Sequence, residues 1–235
     1  MTKSDSGNYS KEEQDEMTRE LIRREKAAIR KKRISVIAVL SFIILAIASY
    51  FLIPGVIVPE IKRNQTYNLL KNHPEQIQVG DILVFGNNEV NDTWQVLAVD
   101  GSRILLINER TILDLPYIDV YVKSQSRYYS LYEWLDEIYY ANVFNSREKA
   151  LIAETDGNYA FLLSRDEVLT YLPTYPSRVA RDYGDYANGW WLGAWDKSKL
   201  YEDQLYVTTT GYINEHGGYP HHAYGVRPAI WLDLG

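Results

Sequence analysis

No cysteine occurs among the 235 residues. That absence excludes a disulfide scaffold, a thiolate nucleophile and a Cys-ligated zinc. Exported or not, the core must hold without cross-links. Several catalytic signatures are missing too. There is no G-x-S-x-G, no G-x-x-x-x-G-K-[ST], no G-x-G-x-x-G and no H-E-x-x-H. A nucleophile elbow, a phosphate-cradling loop and a helix-borne zinc pair therefore have no support. Positive charge is short as well. The net charge of −6 argues against a nucleic-acid binder, which presents a basic face.

What is present is an ordinary globular mixture, 46% hydrophobic and 24% charged, with an excess of tyrosine at 20 residues. Charge is unevenly spread. Residues 1–33 hold ten Lys and Arg against seven Asp and Glu, whereas residues 64–235 hold thirteen against twenty-three. Between them lies ISVIAVLSFIILAIASYFLIPGVIVP, with no charge from Ile34 to Pro59. About 20 apolar residues cross a bilayer core, so the run predicts an uncleaved transmembrane anchor over 34–58. The rival reading is a signal peptide, with Ala46-Ile47-Ala48 as its cleavage site. Arg30, Lys31, Lys32 and Arg33 precede the run, and only Lys62 and Arg63 follow it. The positive-inside rule then predicts a single-pass plasma-membrane protein with a cytoplasmic N-terminus. The expected organisation is a charged cytoplasmic helix (1–33), the anchor (34–58), a juxtamembrane linker (59–76) and an outward-facing domain (77–235).

In that domain QVGDILVFG, TWQVLAV and RILLIN read as strands. Asp100-Gly101-Ser102 joins the last two in a hairpin. Ile104 and Leu106 alternate with Leu105 and Ile107, which predicts a strand covered on both faces. SLYEWLDEIYYANVF is the clearest helix, with Ser130 and Glu133 as capping box and an apolar stripe of Leu131, Trp134, Leu135, Ile138 and Tyr139. NSREKALI and SRDEVLTYLP predict two more helices, and YAFLLS a strand. From Pro173 onward short apolar runs (GWWLGAW, QLYVTTTGYI, GVRPAIWL) predict short strands joined by long loops. Strands, then helices, then strands make an α+β domain. Near the C-terminus, Arg227-Pro228 opens the last strand. Proline fits an edge or a bulge, and a buried arginine predicts an ion pair with some carboxylate of the domain.

GDILVFG, WQVLAVDGSRILLINE, SLYEWLDEIYYANVFNSREKALI, AFLLS, GWWL and GVRPAIWLDL occur in that order over residues 77–234. The series resembles a bacterial domain family of unknown function, whose members close with W-W-L-R-S-P-G and G-V-R-P-A-L-W-L. More remotely its end resembles the formylglycine-generating enzyme superfamily and other C-type-lectin-like folds. The resemblance implies a C-type-lectin-like domain with its two ends together and a structural Arg227. This chain departs from the family at Gly193, where the family has arginine. Without cysteines, formylglycine chemistry is excluded.

Candidate sites fall in the loop-rich half. Aromatic rings stack on sugar rings and on apolar ligand surfaces. Tyr186, Trp195, Asp196, Tyr201 and Tyr219 are the predicted ligand-binding residues, while Trp190, Trp191 and Trp231 are predicted core. Glu215, His216, His221 and His222 offer an alternative metal set, for zinc. Asp182, Asp185 and Asn188 offer oxygens for calcium. Asp182, Asp185, Asp196, Glu202 and Asp203 are candidate catalytic carboxylates. No cofactor is required by the sequence. The resulting expectation is a membrane-anchored extracytoplasmic binding domain recognising an envelope glycan or a membrane-protein partner, without catalysis. The alternatives are a cell-envelope hydrolase using carboxylates or a His-bound metal, and a structural subunit of a membrane assembly.

Overall fold

The computed structural model describes residues 16, 17, 19–27, 29–31, 33, 40, 41, 58–86, 93–193, 200 and 202–235. The chain divides into two compact units, Met1–Val58 and Pro59–Gly235. In the first, the described residues are helical, and those before Val58 are exposed. Glu20 and Arg24 pair one helical turn apart at 3.8 Å, as their spacing requires.

The expected membrane span is corrected here. Among the described residues no helix is long and apolar enough to cross a membrane. Helix α1, Val58–Asn72, has 15 residues and carries Glu60, Lys62, Arg63 and Lys71. It is too short and too charged for a hydrocarbon core. The transmembrane helix, the single-pass plasma-membrane placement and the orientation deduced from flanking charge are therefore not supported. Of residues 34–58 only 40, 41 and 58 are described.

The second unit mixes α and β around antiparallel sheets. One sheet runs β1 (Ile82–Val84), β2 (Thr93–Asp100), β3 (Arg103–Asn108), β14 (Ala229–Asp233), β7 (Ile152–Ala153). The other runs β12 (Ile213–Gly218), β11 (Gln204–Val207), β10 (Trp190–Trp191), β13 (Tyr224–Gly225), β4 (Asp114–Leu115). Among the described strands only β10 and β13 pair in parallel. Two hairpins stand apart, β5 (Val120–Val122) with β6 (Arg127–Tyr129), and β8 (Ala180–Arg181) with β9 (Ala187–Asn188).

Strand β3 is the middle of the first sheet and is buried on both faces. Ile104 and Leu106 enter one apolar cluster with Val96, Ile230 and Trp191. Leu105 and Ile107 enter a second with Leu97, Ala229 and Trp190. Period-two alternation on a doubly covered strand produces this split. Each of those side chains stabilises the fold by about 1.5–3 kcal/mol through lost contact with water.

Helix α2 (residues 131–143) packs on the first cluster. Its cap is the predicted one: the Ser130 side chain accepts from the Glu133 N–H, and Glu133 Oε2 accepts from the Ser130 N–H at 2.7 Å. Sequence periodicity gave no sign of the π-helical stretch Trp134–Tyr140 inside it. The buried stripe Leu131, Leu135, Tyr139, Val143 steps by four, which suits the wider i→i+5 turn. Helix α3 (Ser146–Lys149) is capped by Asn145 with Glu148, and α4 (Arg165–Tyr171) by Ser164 with Glu167. Helix α5 (Tyr175–Arg178) was not expected. Pro176 sits in its first turn, where a missing N–H costs nothing, and Thr174 caps it. The strand expected at 159–164 is instead a single bridge, Phe161 to Ala229.

The closing strand β14 pairs with β3 on one side and β7 on the other, and so is interior to its sheet. Pro228 lies one residue before it and needs no ladder donor there. Its carbonyl accepts from the Asn108 N–H at 2.8 Å. A Cβ at Gly193 would stand 2.6 Å from the Leu162 carbonyl oxygen, so a side chain cannot enter.

Candidate functional site

Of the predicted ligand-binding residues, Trp195, Asp196 and Tyr201 lie outside the described residues. Tyr186 and Tyr219 are described, exposed, and on different loops. Tyr186 ends the β8–β9 turn. The Asp182 N–H bonds the Tyr186 carbonyl, and the Tyr186 N–H bonds Asp182 Oδ1, both at 2.9 Å. The Tyr186 ring covers Gly184 so closely that a Cβ there would stand 2.6 Å from it. Tyr219 lies in the loop after β12, with its ring centroid 5.0 Å from that of His221 and 5.4 Å from that of His222.

The expected ion sites do not converge. Asp182 closes its own turn, and Asp185 pairs with Arg110 at 3.1 Å. The Asn188 amide donates to Asp114 Oδ1 at 2.7 Å. Glu215 is held by the Arg165 Nε at 2.9 Å, which keeps the Arg165 pKa above its ordinary value through that hydrogen bond and the Glu215 charge. His221 instead meets Asp119 at 3.3 Å. Among the described residues no group of three or more His, Asp or Glu side chains could hold a metal ion.

That Asp119–His221 contact leads to a site the sequence reading passed over. Asp119 precedes β5 and has a left-handed backbone, φ 59°. Asp tolerates this conformation better than most residues, yet it is uncommon enough to warrant a functional question. Asp119 lines a cavity of about 330 Å³ with Tyr128, Tyr129, Ser130, Glu133 and Leu200. Beside it the rings of Tyr121 and Tyr128, which face each other across the β5–β6 hairpin, are tilted with centroids 4.9 Å apart. They are 53% and 63% exposed, although a cross-strand aromatic pair would normally be half-buried.

Two carboxylates of different character face this cavity. Asp119 is exposed beside an imidazole. Glu133 has its pKa lowered, first by the hydrogen bond from the Ser130 N–H, then by the Ser130 hydroxyl and the Arg127 charge; partial burial opposes them. Arg127 reaches Glu133 and Glu137 at 3.4 Å each, and its guanidinium lies 4.4 Å from the Tyr129 ring centroid. The rim thus offers aromatic faces, acceptor carboxylates and one donor fork. The signal in the sequence was RYYS directly ahead of the capped helix, masked by twenty tyrosines spread through the chain.

Compared with known proteins, the chain matches no family model, no curated protein and no solved structure. The resemblances drawn from its motifs, including the C-type-lectin-like fold, thus gain no support from these comparisons and carry no argument below.

Proposed function

We propose that the 59–235 unit is a recognition domain that binds a glycan on the Tyr121–Tyr128 face and in the adjoining cavity, without turning it over. One observation carries this reading: two exposed, mutually tilted tyrosine rings stand next to a cavity of about 330 Å³ lined by Asp119 and Glu133. The C–H faces of a pyranose pack on aromatic rings, while its hydroxyls donate to carboxylates. Tyr suits such a surface because it gives large contact area at low entropic cost and has a polar tip. The cavity is at the small end of those that hold organic ligands, and fits one or two sugar units.

The test is a glycan array probed with the full chain, with and without calcium and zinc. Tyr128→Ala and Asp119→Asn are expected to abolish the signal while leaving the far-UV spectrum unchanged. Silence across the array from folded protein would remove the glycan reading and leave a protein partner as ligand. Binding that survives both substitutions would move the site elsewhere.

A further inference from the structure

A second cavity, of about 300 Å³, is lined by Gln95, Glu109, Arg110, Ser177, Arg181 and Arg227. Three arginines against one glutamate is an unusual concentration in a unit where acidic residues outnumber basic ones. Two of the arginines are partly engaged. Arg110 Nη1 donates to the Asp182 carbonyl at 2.7 Å and meets Asp185 at 3.1 Å. Arg181 Nη1 donates to the Asp185 carbonyl at 2.6 Å. The third differs. Arg227 is 2% exposed, its Nε donates to the Asn108 carbonyl at 2.8 Å, and its guanidinium lies 5.2 Å from the Trp190 ring centroid. Its Nη1 is buried and has no hydrogen-bond partner among the described residues. Glu109 feels the charge but makes no hydrogen bond to that nitrogen.

A buried donor without an acceptor is costly, and a guanidinium is a planar fork shaped for two oxygens of one group. We infer that this cavity is a binding site for a small oxyanion, a carboxylate- or phosphate-bearing molecule whose charged group is gripped by Arg227 with Arg110 and Arg181 at the mouth. Gln95 and Ser177 offer neutral polar groups for the rest of the ligand. The site is separate from the tyrosine face and does not depend on the glycan reading.

The test is thermal denaturation of the full chain in chloride-free buffer, titrated at constant ionic strength with sodium phosphate, acetate or chloride. Phosphate or acetate is expected to raise Tm with the logarithm of its concentration, by roughly a few degrees at about a hundredfold excess over Kd. A response to phosphate alone assigns phosphate esters, and a response to acetate alone assigns carboxylates. Arg227→Lys keeps the charge and loses the fork, so affinity is expected to fall about tenfold or more. Arg181→Gln, at the exposed mouth, is expected to weaken the response and folds even if Arg227 variants do not. The inference fails if neither oxyanion shifts Tm, if chloride shifts it equally, or if the shift survives in folded Arg227→Met or in Arg181→Gln.

Discussion

Arg178 donates from Nε to the Leu172 carbonyl at 2.7 Å and from Nη2 to the Pro173 carbonyl at 2.9 Å. Among the described residues, Arg227 has only the Asn108 carbonyl on its Nε, and an idle Nη1. Both are buried, at 5% and 2% exposure, and both meet Trp190: its indole N–H bonds the Arg178 carbonyl at 2.9 Å, and its ring faces the Arg227 guanidinium. Arg178 is thus a structural clasp that satisfies the carbonyls left open at the end of α4. Arg227 is not satisfied by the fold alone. Burial drives its pKa down to about 10, with the Glu109 charge opposing. Against the ordinary arginine value, that corresponds to about 3 kcal/mol of unfavourable charge burial at neutral pH. The difference teaches that burial alone does not make an arginine structural; the number of acceptors does.

The largest effect should come from Arg178→Met, which strands two buried carbonyls. Chemical denaturation is expected to show a loss of about 3 kcal/mol with an unchanged m value. Trp190→Phe touches both arginines. It removes the indole donor to Arg178 and weakens the cation–π contact with Arg227, for an expected loss of about 2 kcal/mol by the same measurement. Arg227→Met is expected to change stability by less than about 1 kcal/mol, because removing an uncompensated charge offsets the lost Asn108 bond. A loss as large as that of Arg178→Met would break the comparison and make both arginines structural.

The smallest effect is a pH dependence. An unfolded arginine releases its proton only at a pH well above 10, whereas folded Arg227 releases it near 10. Between those values the unfolded state binds more protons, so this residue's contribution to stability rises with pH. From pH 10 to 11 the native chain should gain about 1 kcal/mol relative to Arg227→Met in paired denaturant titrations. Tyr140 and Tyr224, whose pKa values burial raises, act in the opposite sense in both proteins and cancel in the difference. A flat difference would place the Arg227 charge in a better-solvated setting than its geometry implies.

Much of the local structure was legible. The capping box at Ser130 is where its spacing put it, and helices begin after Asn145 and Ser164 in the two further segments expected to be helical. The β2–β3 hairpin turns at Gly101, and β3 is covered on both faces. Trp190 and Trp191 are fully buried on opposite faces of β10, but Trp231 is only partly buried, with the Arg103 guanidinium 4.7 Å from its ring centroid. The π turn in α2 was missed because an apolar stripe at positions 131, 134, 135, 138 and 139 satisfies an ordinary helix equally well. Helix α5 was missed because Pro173 and Pro176 read as loop. The site was the least legible part. Sequence reasoning chose aromatic residues by type and drew them from the late loops. The structure brings Asp119, Tyr128 and Glu133 together at one cavity, with Tyr121 across the hairpin from Tyr128; among the described residues of the predicted set, His221 meets Asp119 there and Tyr219 packs on His221.

By itself the sequence determined which segments curl, which extend and which side chains must avoid water. Those choices depend on neighbours a few residues apart, through caps, turns and periodicity. Only the tertiary structure decided where the closing strand inserts and what surrounds its arginine. Among the described residues Arg227 finds its one acceptor 119 positions away, on Asn108, and it lines a cavity with residues from three other stretches of chain. No local pattern encodes such a meeting, because it is set by the pairing of β14 with β3 and by the loops packed beside them, and not by the order of residues around it.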